Sequence, residues 1–242
     1  MRSATALRAL HIPGEPLILP NAWDAGSARL VEQAGFRAVA TTSAGMADAL
    51  GYADGQQTPV GEMLAAVARV ARAVDVPVTA DMEGGYGLEP AALAQRVAAT
   101  GAVGLNLEDT DHARFPVLVA REVQCARIAG LRAAGADLVI NARVDVHLRG
   151  GETSEALARA AAYRDAGADC VYPIGVAEEV TIAGFVALGL PVNVLLRPGA
   201  PPVERLAELG VARISLGHHL HAEMEDALRE RLADLRSGQP PR

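Results

Sequence analysis

The sequence contains no lysine: all 22 residues counted as Lys or Arg are Arg. That absence excludes an aldolase working through a lysine Schiff base and an enzyme holding pyridoxal phosphate on Lys. A Walker A loop is excluded as well, since it needs its Lys. Any electrophile that polarises a carbonyl must be Arg, a backbone dipole or a metal ion. Cysteine is scarce too; Cys125 and Cys170 provide no disulfide framework. Hydrophobic residues make up 50% of the chain, yet no apolar run is long enough to span a bilayer. Met1-Arg2-Ser3-Ala4 leads into no apolar signal core. A soluble cytoplasmic protein with no membrane partner is the expectation. The net charge of -7 and the lack of a basic cluster argue against nucleic acid as a partner.

What is present alternates. Short apolar segments read as strands at Leu17–Trp23, Ala38–Ser43, Val76–Glu83, Val103–Asp109, Leu138–Asp145, Cys170–Gly175, Pro191–Leu196 and Arg213–Gly217. Helical segments lie near Ala25–Ala34, Pro59–Val74, Pro90–Thr100, Val117–Ala134, Ser154–Ala166, Glu178–Leu188, Val203–Leu209 and His218–Leu235. Glycine recurs just past helix ends, at Gly35, Gly101, Gly135 and Gly167, where a left-handed residue is favoured. Eight strand–helix pairs in 242 residues predict a single-domain α/β fold, a closed parallel (β/α)8 TIM-type barrel over residues 1–242, with a frayed tail over about 237–242. The alternative is an open doubly wound sheet, but no GxGxxG follows the first strand. Two longer loops, Ala44–Thr58 and Thr110–Pro116, fall at the C-terminal end of the barrel, where such folds keep their chemistry.

Strand alternation sorts the polar residues. Thr79, Asp81 and Glu83 point one way in the third strand, Asn106 and Glu108 in the fourth, and Asn141, Arg143 and Asp145 in the fifth; Asn193 follows in the seventh. Asp81, Glu83 and Glu108 then converge, with Arg143 the only basic residue among the inward positions. Buried carboxylates cost several kcal/mol each, roughly, unless paired or bound to a cation. Oxygen ligands with no His or Cys nearby favour Mg2+ or Mn2+ over Zn2+. A metal-free ion-pair network around Arg143 is the alternative. Gly84-Gly85-Tyr86-Gly87 reads either as close backbone approach to a ligand, with Gly85 a binding candidate, or as a plain turn. Thr41-Thr42-Ser43-Ala44-Gly45 is either a carboxylate nest or a strand end. Trp23 floors the site or fills the barrel mouth. Asp54 by itself reads as a solvated turn. His112 reads as loop surface or as an acid–base group. His218, His219 and His221 read as a solvated face, and Cys125 as helix packing.

Four pieces, in order, resemble the isocitrate lyase/phosphoenolpyruvate mutase superfamily from Pro20 to about Gly217. They are Asn21-Ala22-Trp23-Asp24-Ala25-Gly26-Ser27-Ala28; Thr42-Ser43-Ala44-Gly45 with Leu50-Gly51-Tyr52-Ala53-Asp54; Asp81-Met82-Glu83-Gly84-Gly85-Tyr86-Gly87; and Asn106-Leu107-Glu108-Asp109 with Asn141-Ala142-Arg143-Val144-Asp145. The resemblance implies that Asp81 is the main Mg2+ ligand and that Glu83, Glu108 and Asp54 hold its waters or complete its shell. It implies that Thr42, Ser43 and Ala44 bind the carboxylate of a small 2-oxo acid and that Arg143 takes its anionic end. Catalytic roles fall to Arg143, Glu108 and His112, through an enolpyruvate-like intermediate; the family also implies a homo-oligomer, dimer or tetramer.

The lyases of this superfamily carry Lys-(Lys/Arg)-Cys-Gly-His on the loop after the fourth strand. Here that loop reads Asp109-Thr110-Asp111-His112-Ala113-Arg114-Phe115-Pro116, and the mutase motif Pro-Lys-Thr-Asn-Ser is missing too. Three functions stay open: a C–C lyase or decarboxylase, a P–C enzyme acting on phosphonopyruvate, and a non-catalytic 2-oxo-acid binder. With no Cys on the lid, isocitrate and 2-methylisocitrate cleavage are expected to be slow, and decarboxylation to be relatively favoured.

Overall fold

A computed structural model describes residues 2–238. In chain order the elements are α1 (Ala4–Arg8), β1 (Leu17–Leu19), β2 (Asn21–Ala22), α2 (Ala25–Gln33), β3 (Val39–Thr41), α3 (Ser43–Leu50), α4 (Val60–Ala73), β4 (Val78–Asp81), α5 (Pro90–Ala99), β5 (Gly104–Leu107), α6 (Arg121–Ala133), β6 (Val139–Val144), α7 (Thr153–Asp165), β7 (Cys170–Pro173), α8 (Glu179–Val186), β8 (Asn193–Leu195), α9 (Val203–Glu208), β9 (Arg213–Ser215) and α10 (His219–Arg236). All strand pairs are parallel and run β2-β3-β4-β5-β6-β7 in one sheet and β1-β9-β8 in the other. Two joins complete the ring. β1 and β2 are one strand interrupted at Pro20, which has no N–H to give, although its carbonyl still accepts from the Ala40 N–H at 3.0 Å. A parallel bridge from Val171 to Val192 links β7 to the edge of β8. The result is the TIM-type barrel expected from the alternating pattern.

Local chemistry explains the elements. Asp24 caps α2, accepting from the Ser27 N–H at 2.7 Å in a reciprocal capping box. In α4, Met63, Val67, Val70 and Ala71 recur every three to four residues and are buried against the barrel. Gly101 and Gly167 turn the chain at φ of 89° and 106°, which a side chain would resist. Two helices were not legible in the sequence. α1 plugs the N-terminal end of the barrel: Leu7 is fully buried in a cluster with Leu17, Leu19, Ala38, Ala40 and Val139, worth about 1.5–3 kcal/mol. α3 occupies the first half of the expected Ala44–Thr58 loop. Thr42 caps it and Gly51, at φ 85°, ends it; mostly buried small residues give it no polar stripe to betray a helical period. The second expected strand, Ala38–Ser43, is correspondingly shorter: it is β3 and stops at Thr41.

At the C-terminus, the Ser237 N–H still bonds to the Ala233 carbonyl at 3.1 Å. The rest of the expected frayed tail, residues 239–242, lies outside the described residues. Among the described residues no helix is long and apolar enough to cross a membrane.

Gly104 faces the barrel interior. A Cβ there would sit 2.9 Å from the Val139 carbonyl oxygen, 3.1 Å from Leu7 and 3.1 Å from the Thr79 hydroxyl. Backbone in a neighbouring strand cannot yield cheaply, so Gly104→Ala is expected to cost about 1–3 kcal/mol. Urea titration reads this as a lowered midpoint; an unchanged midpoint would mean that the barrel is more loosely packed than described.

Candidate active site

The strands deliver their polar residues to one mouth. In the register, Asp81 lies beside Asn106 and Asn106 beside Asn141, so the residues just beyond them converge at the C-terminal end. Asp81 ends β4, Glu108 follows β5, and Arg143 lies near the end of β6 with Asp145 just past it. Asp81, Glu108 and Arg143 line a cavity of about 890 Å³.

Arg143 is held in a fork. Its Nε and Nη2 donate to the two oxygens of Asp145 at 2.6 and 2.8 Å, and Nη2 also pairs with Glu108. Nη1 has no hydrogen bond among the described residues. Asp145 is fixed from behind, its N–H donating to Asp109 at 2.8 Å. Asp109 in turn pairs with Arg159 at 3.1 Å and accepts from the Tyr163 hydroxyl at 2.7 Å. Glu108 also pairs with His112. Asp81 accepts from the N–H and hydroxyl of Ser43 through Oδ2, at 3.2 and 2.9 Å. Its other oxygen, Oδ1, is buried with no hydrogen-bond partner among the described residues. Ligand atoms of Glu83, Glu108 and His112 lie within 4.8 Å of one another.

Among the described residues, three non-glycine residues adopt positive φ, and all meet at this site: Gln56 (62°), Glu83 (46°) and Tyr86 (55°). The Gln56 N–H donates to Glu83 at 2.7 Å, the Tyr86 N–H donates to the Gln56 side chain, and the Tyr86 hydroxyl donates to Glu83. Such backbone costs of order 1–3 kcal/mol per residue and persists where surrounding contacts over-determine it. Gly84 sits within this knot; a Cβ would meet Gln56 at 3.1 Å and His112 at 3.2 Å.

Charge is out of balance. Burial pushes the Glu83 carboxyl up to about 7, helped by Asp81, Asp54 and Glu108 and opposed by the Tyr86 hydrogen bond. Burial likewise raises Glu108, despite Arg143 and His112. Burial would lower His112, but the Glu108 carboxylate more than offsets it and raises the imidazole above its ordinary value. An unsatisfied Asp81 oxygen and reluctantly charged carboxylates are what a divalent cation would relieve. Asp81, Glu83 and Glu108 offer the hard oxygens such an ion prefers, so these residues fit the group.

The sequence matches the family described as phosphoenolpyruvate phosphomutase over residues 7–236. The chain belongs to the phosphoenolpyruvate phosphomutase family. A candidate phosphonomutase of known structure from Burkholderia cenocepacia is 40% identical, covers 96% of this chain and 99% of its own, and superposes with a TM-score of 0.89. Rhodopseudomonas palustris oxaloacetate decarboxylase is 30% identical over 98% of this chain and 86% of its own. The structure of 2,3-dimethylmalate lyase, a member of the phosphoenolpyruvate mutase/isocitrate lyase superfamily, is 28% identical with a TM-score of 0.89 and covers the whole of this chain and 90% of its own. These relatives are enzymes, and so is this family member.

Within this phosphomutase-family barrel, Thr42, Ser43, Ala44, Asp54, Asp81, Glu83, Glu108, His112 and Arg143 all line the one cavity. Three expected binding residues do not. Trp23 packs edge-on against His221, ring centres 5.0 Å apart. A Cβ on Gly85 would point at Arg127, 2.9 Å away, and at Leu93, so that residue faces the helix layer. Asn193 is buried deeper in the barrel and donates to Ser215 at 3.0 Å. His112 is not loop surface: Asp111 caps a short turn over His112–Arg114 and pairs outward with Arg114, which leaves the imidazole on Glu108. The acid cluster therefore has a His beside it, contrary to the reading of the sequence. His218 and His219 line the cavity, His218 exposed as the solvated-face reading has it and His219 half-buried, whereas His221 is buried. Arg143 is not the only inward base. Arg213 is fully buried, donating to Asn106 at 3.2 Å and to Ser215 at 3.4 Å. Its position as the first residue of a short strand gave no hint of that. The supports on α6 were also missed: Gln124 donates to the Glu108 carbonyl at 3.1 Å and Arg127 to the Gly84 carbonyl.

Glu83 sets a pH dependence. A carboxyl raised from 4.5 to about 7 in the folded state adds stability below pH 4.5, and that stability is lost as pH rises through about 7. Metal-free protein is therefore expected to lose thermal stability between about pH 5 and pH 8, and Glu83→Gln to lose less. Identical pH profiles for the two proteins would contradict the raised carboxyl.

Proposed function

We propose that this protein is a divalent-metal-dependent enzyme, using Mg2+ or Mn2+, that breaks a C–C bond in a small 2-oxo acid through an enolpyruvate-like intermediate. The best-matched reaction is decarboxylation of an oxaloacetate-like acid. The observation that carries this reading is the buried, unpartnered Oδ1 of Asp81 facing a surplus of carboxylates. A solved relative, phosphonopyruvate hydrolase, holds Mg2+ together with oxalate at 26% identity and a TM-score of 0.86, which supports the same use of this mouth.

Asp81 would hold the ion, with Glu83, Glu108 and Asp54 ordering its water shell. Bound there, the ion supplies a Lewis acid for the 2-oxo oxygen. The chain's own residues do the rest. Ser43 fixes the Asp81 carboxylate. Thr42, Ser43 and Ala44, at the start of α3, present the positive end of a helix to the substrate carboxylate. Arg143 keeps Nη1 free to hold an anionic group, while Asp145 and Glu108 fix its plane. Loss of CO2 leaves a carbanion at C3, which takes up one proton. The paired His112 and Glu108 can deliver it from the His112 Nε2–Glu108 Oε1 contact. General acid help of this kind contributes about 10²–10⁴-fold, and it stands where the lyases of the superfamily carry Cys.

Pyruvate release from oxaloacetate, above the background of metal without protein, is expected to need Mg2+ or Mn2+ and to fall at least about 100-fold in His112→Gln. Calorimetry is expected to show Mg2+ binding to wild type and none to Asp81→Ala. Equal metal affinity in the two proteins would sink the assignment of Asp81.

A further inference from the structure

The acid residues are only part of the cavity lining. Asp54, Asp81, Glu83 and Glu108 come from the chain on or after β3, β4 and β5, whereas the chain after β6, β8 and β9 adds Arg149, Arg197, His218 and His219 to the lining. A cavity of about 890 Å³ is of the size that encloses drug-sized ligands. A four-carbon acid bound between Asp81 and Arg143 leaves most of it unfilled.

Arg149 and Arg197 are tethered but not neutralised. Arg149 donates through Nη2 to the Thr110 hydroxyl at 3.0 Å and lies over the Phe115 ring at 4.3 Å. Its buried Nε has no partner among the described residues. Arg197 donates through Nη2 to the Gly175 carbonyl at 2.8 Å. Neither has a carboxylate within ion-pair distance among the described residues, whereas Arg143 is already shared by two. The two loops also meet: a Cβ on Gly175 would lie 3.0 Å from Leu148. The residue before Arg149 and the carbonyl that anchors Arg197 thus belong to one contact. Guanidiniums held by neutral acceptors in a cavity wall are pre-oriented donors for an anion.

We propose that the cavity takes an oxaloacetate-like 2-oxo acid extended by a terminal carboxylate, and that Arg149 and Arg197 bind that carboxylate and set the length of the substrate. The proposal rests on the reading of the acid wall as the metal and 2-oxo end. It makes the two arginines specificity-determining residues and leaves the bond-breaking machinery to the acid wall.

The test is calorimetry on the full chain with saturating Mg2+, using wild type, Arg149→Gln, Arg197→Gln, the double variant and the two Lys replacements. Oxalate reaches only the metal end; 2-oxoglutarate and 2-oxoadipate carry a terminal carboxylate beyond the four-carbon length. The Gln variants should bind oxalate as wild type does, within about twofold. They should bind the preferred long ligand roughly tenfold more weakly for each arginine removed, with the Lys variants recovering part of the loss. Whichever long ligand binds wild type more tightly identifies the length that the subsite selects. Normal oxalate binding with undiminished affinity for both long ligands in the double variant overturns the distal subsite alone. Failure of wild type to bind oxalate overturns the reading of the acid wall, and this proposal with it.

Discussion

The fork between Arg143 and Asp145 is the contact on which the mouth of this barrel depends. It places one half-buried guanidinium between two carboxylates, and the second of these, Glu108, is shared with His112. Removing either partner of a buried pair costs about 3–5 kcal/mol, because it strands a charge away from water. The chain invests in holding the pair still. Asp109, Arg159 and Tyr163 brace Asp145 from the helix layer, and Gln124 braces the Glu108 backbone. With Arg143 so committed, the charge of Asp81 and Glu83 has no counter-ion left on that side of the mouth. The demand for a cation follows from the pairing rather than from any single acid.

A second consequence is polarity across the cavity. The lining acids lie on or after β3, β4 and β5, while the lining arginines and, apart from His112 after β5, most of the histidines lie on or after β6, β8 and β9. An anionic substrate crossing such a field is orientated before any contact forms. In a chain without lysine, every fixed cation in that field is a guanidinium, whose planar donors suit carboxylates and phosphonates. The strain in Gln56, Glu83 and Tyr86 adds to this. Three uncommon backbone conformations lock one another through Glu83 and hold its carboxylate on the mouth.

The barrel was legible because its signal is repetitive: short apolar runs and helical periods appear again and again, with a glycine just past several of the helices. The acid cluster was legible because strand alternation decides which side chains share a face, and Asp81, Glu108 and Arg143 sit where alternation puts them. What was missed depends on contacts far apart in sequence. α1 and α3 are too short or too uniformly buried to show a period. Gly85 and Gly84 are adjacent, and only the turn decides that the former faces Arg127 and the latter the site. His112 reads as an exposed loop residue until Asp111 and Arg114 take the outward side. Arg213 was invisible because a buried guanidinium bonded to Asn106, 107 residues away, leaves no local mark.

The central claim is that the surplus carboxylates around Asp81 hold a divalent cation beside a 2-oxo acid. Crystals soaked with Mn2+ and oxalate test it directly through the anomalous signal of manganese. The account predicts one strong peak in the barrel mouth, within coordination reach of Asp81, with oxalate density beside it and towards Arg143. No peak at the mouth would contradict it. So would a peak confined to the other acidic group that includes a histidine, Asp48, His221 and Glu225.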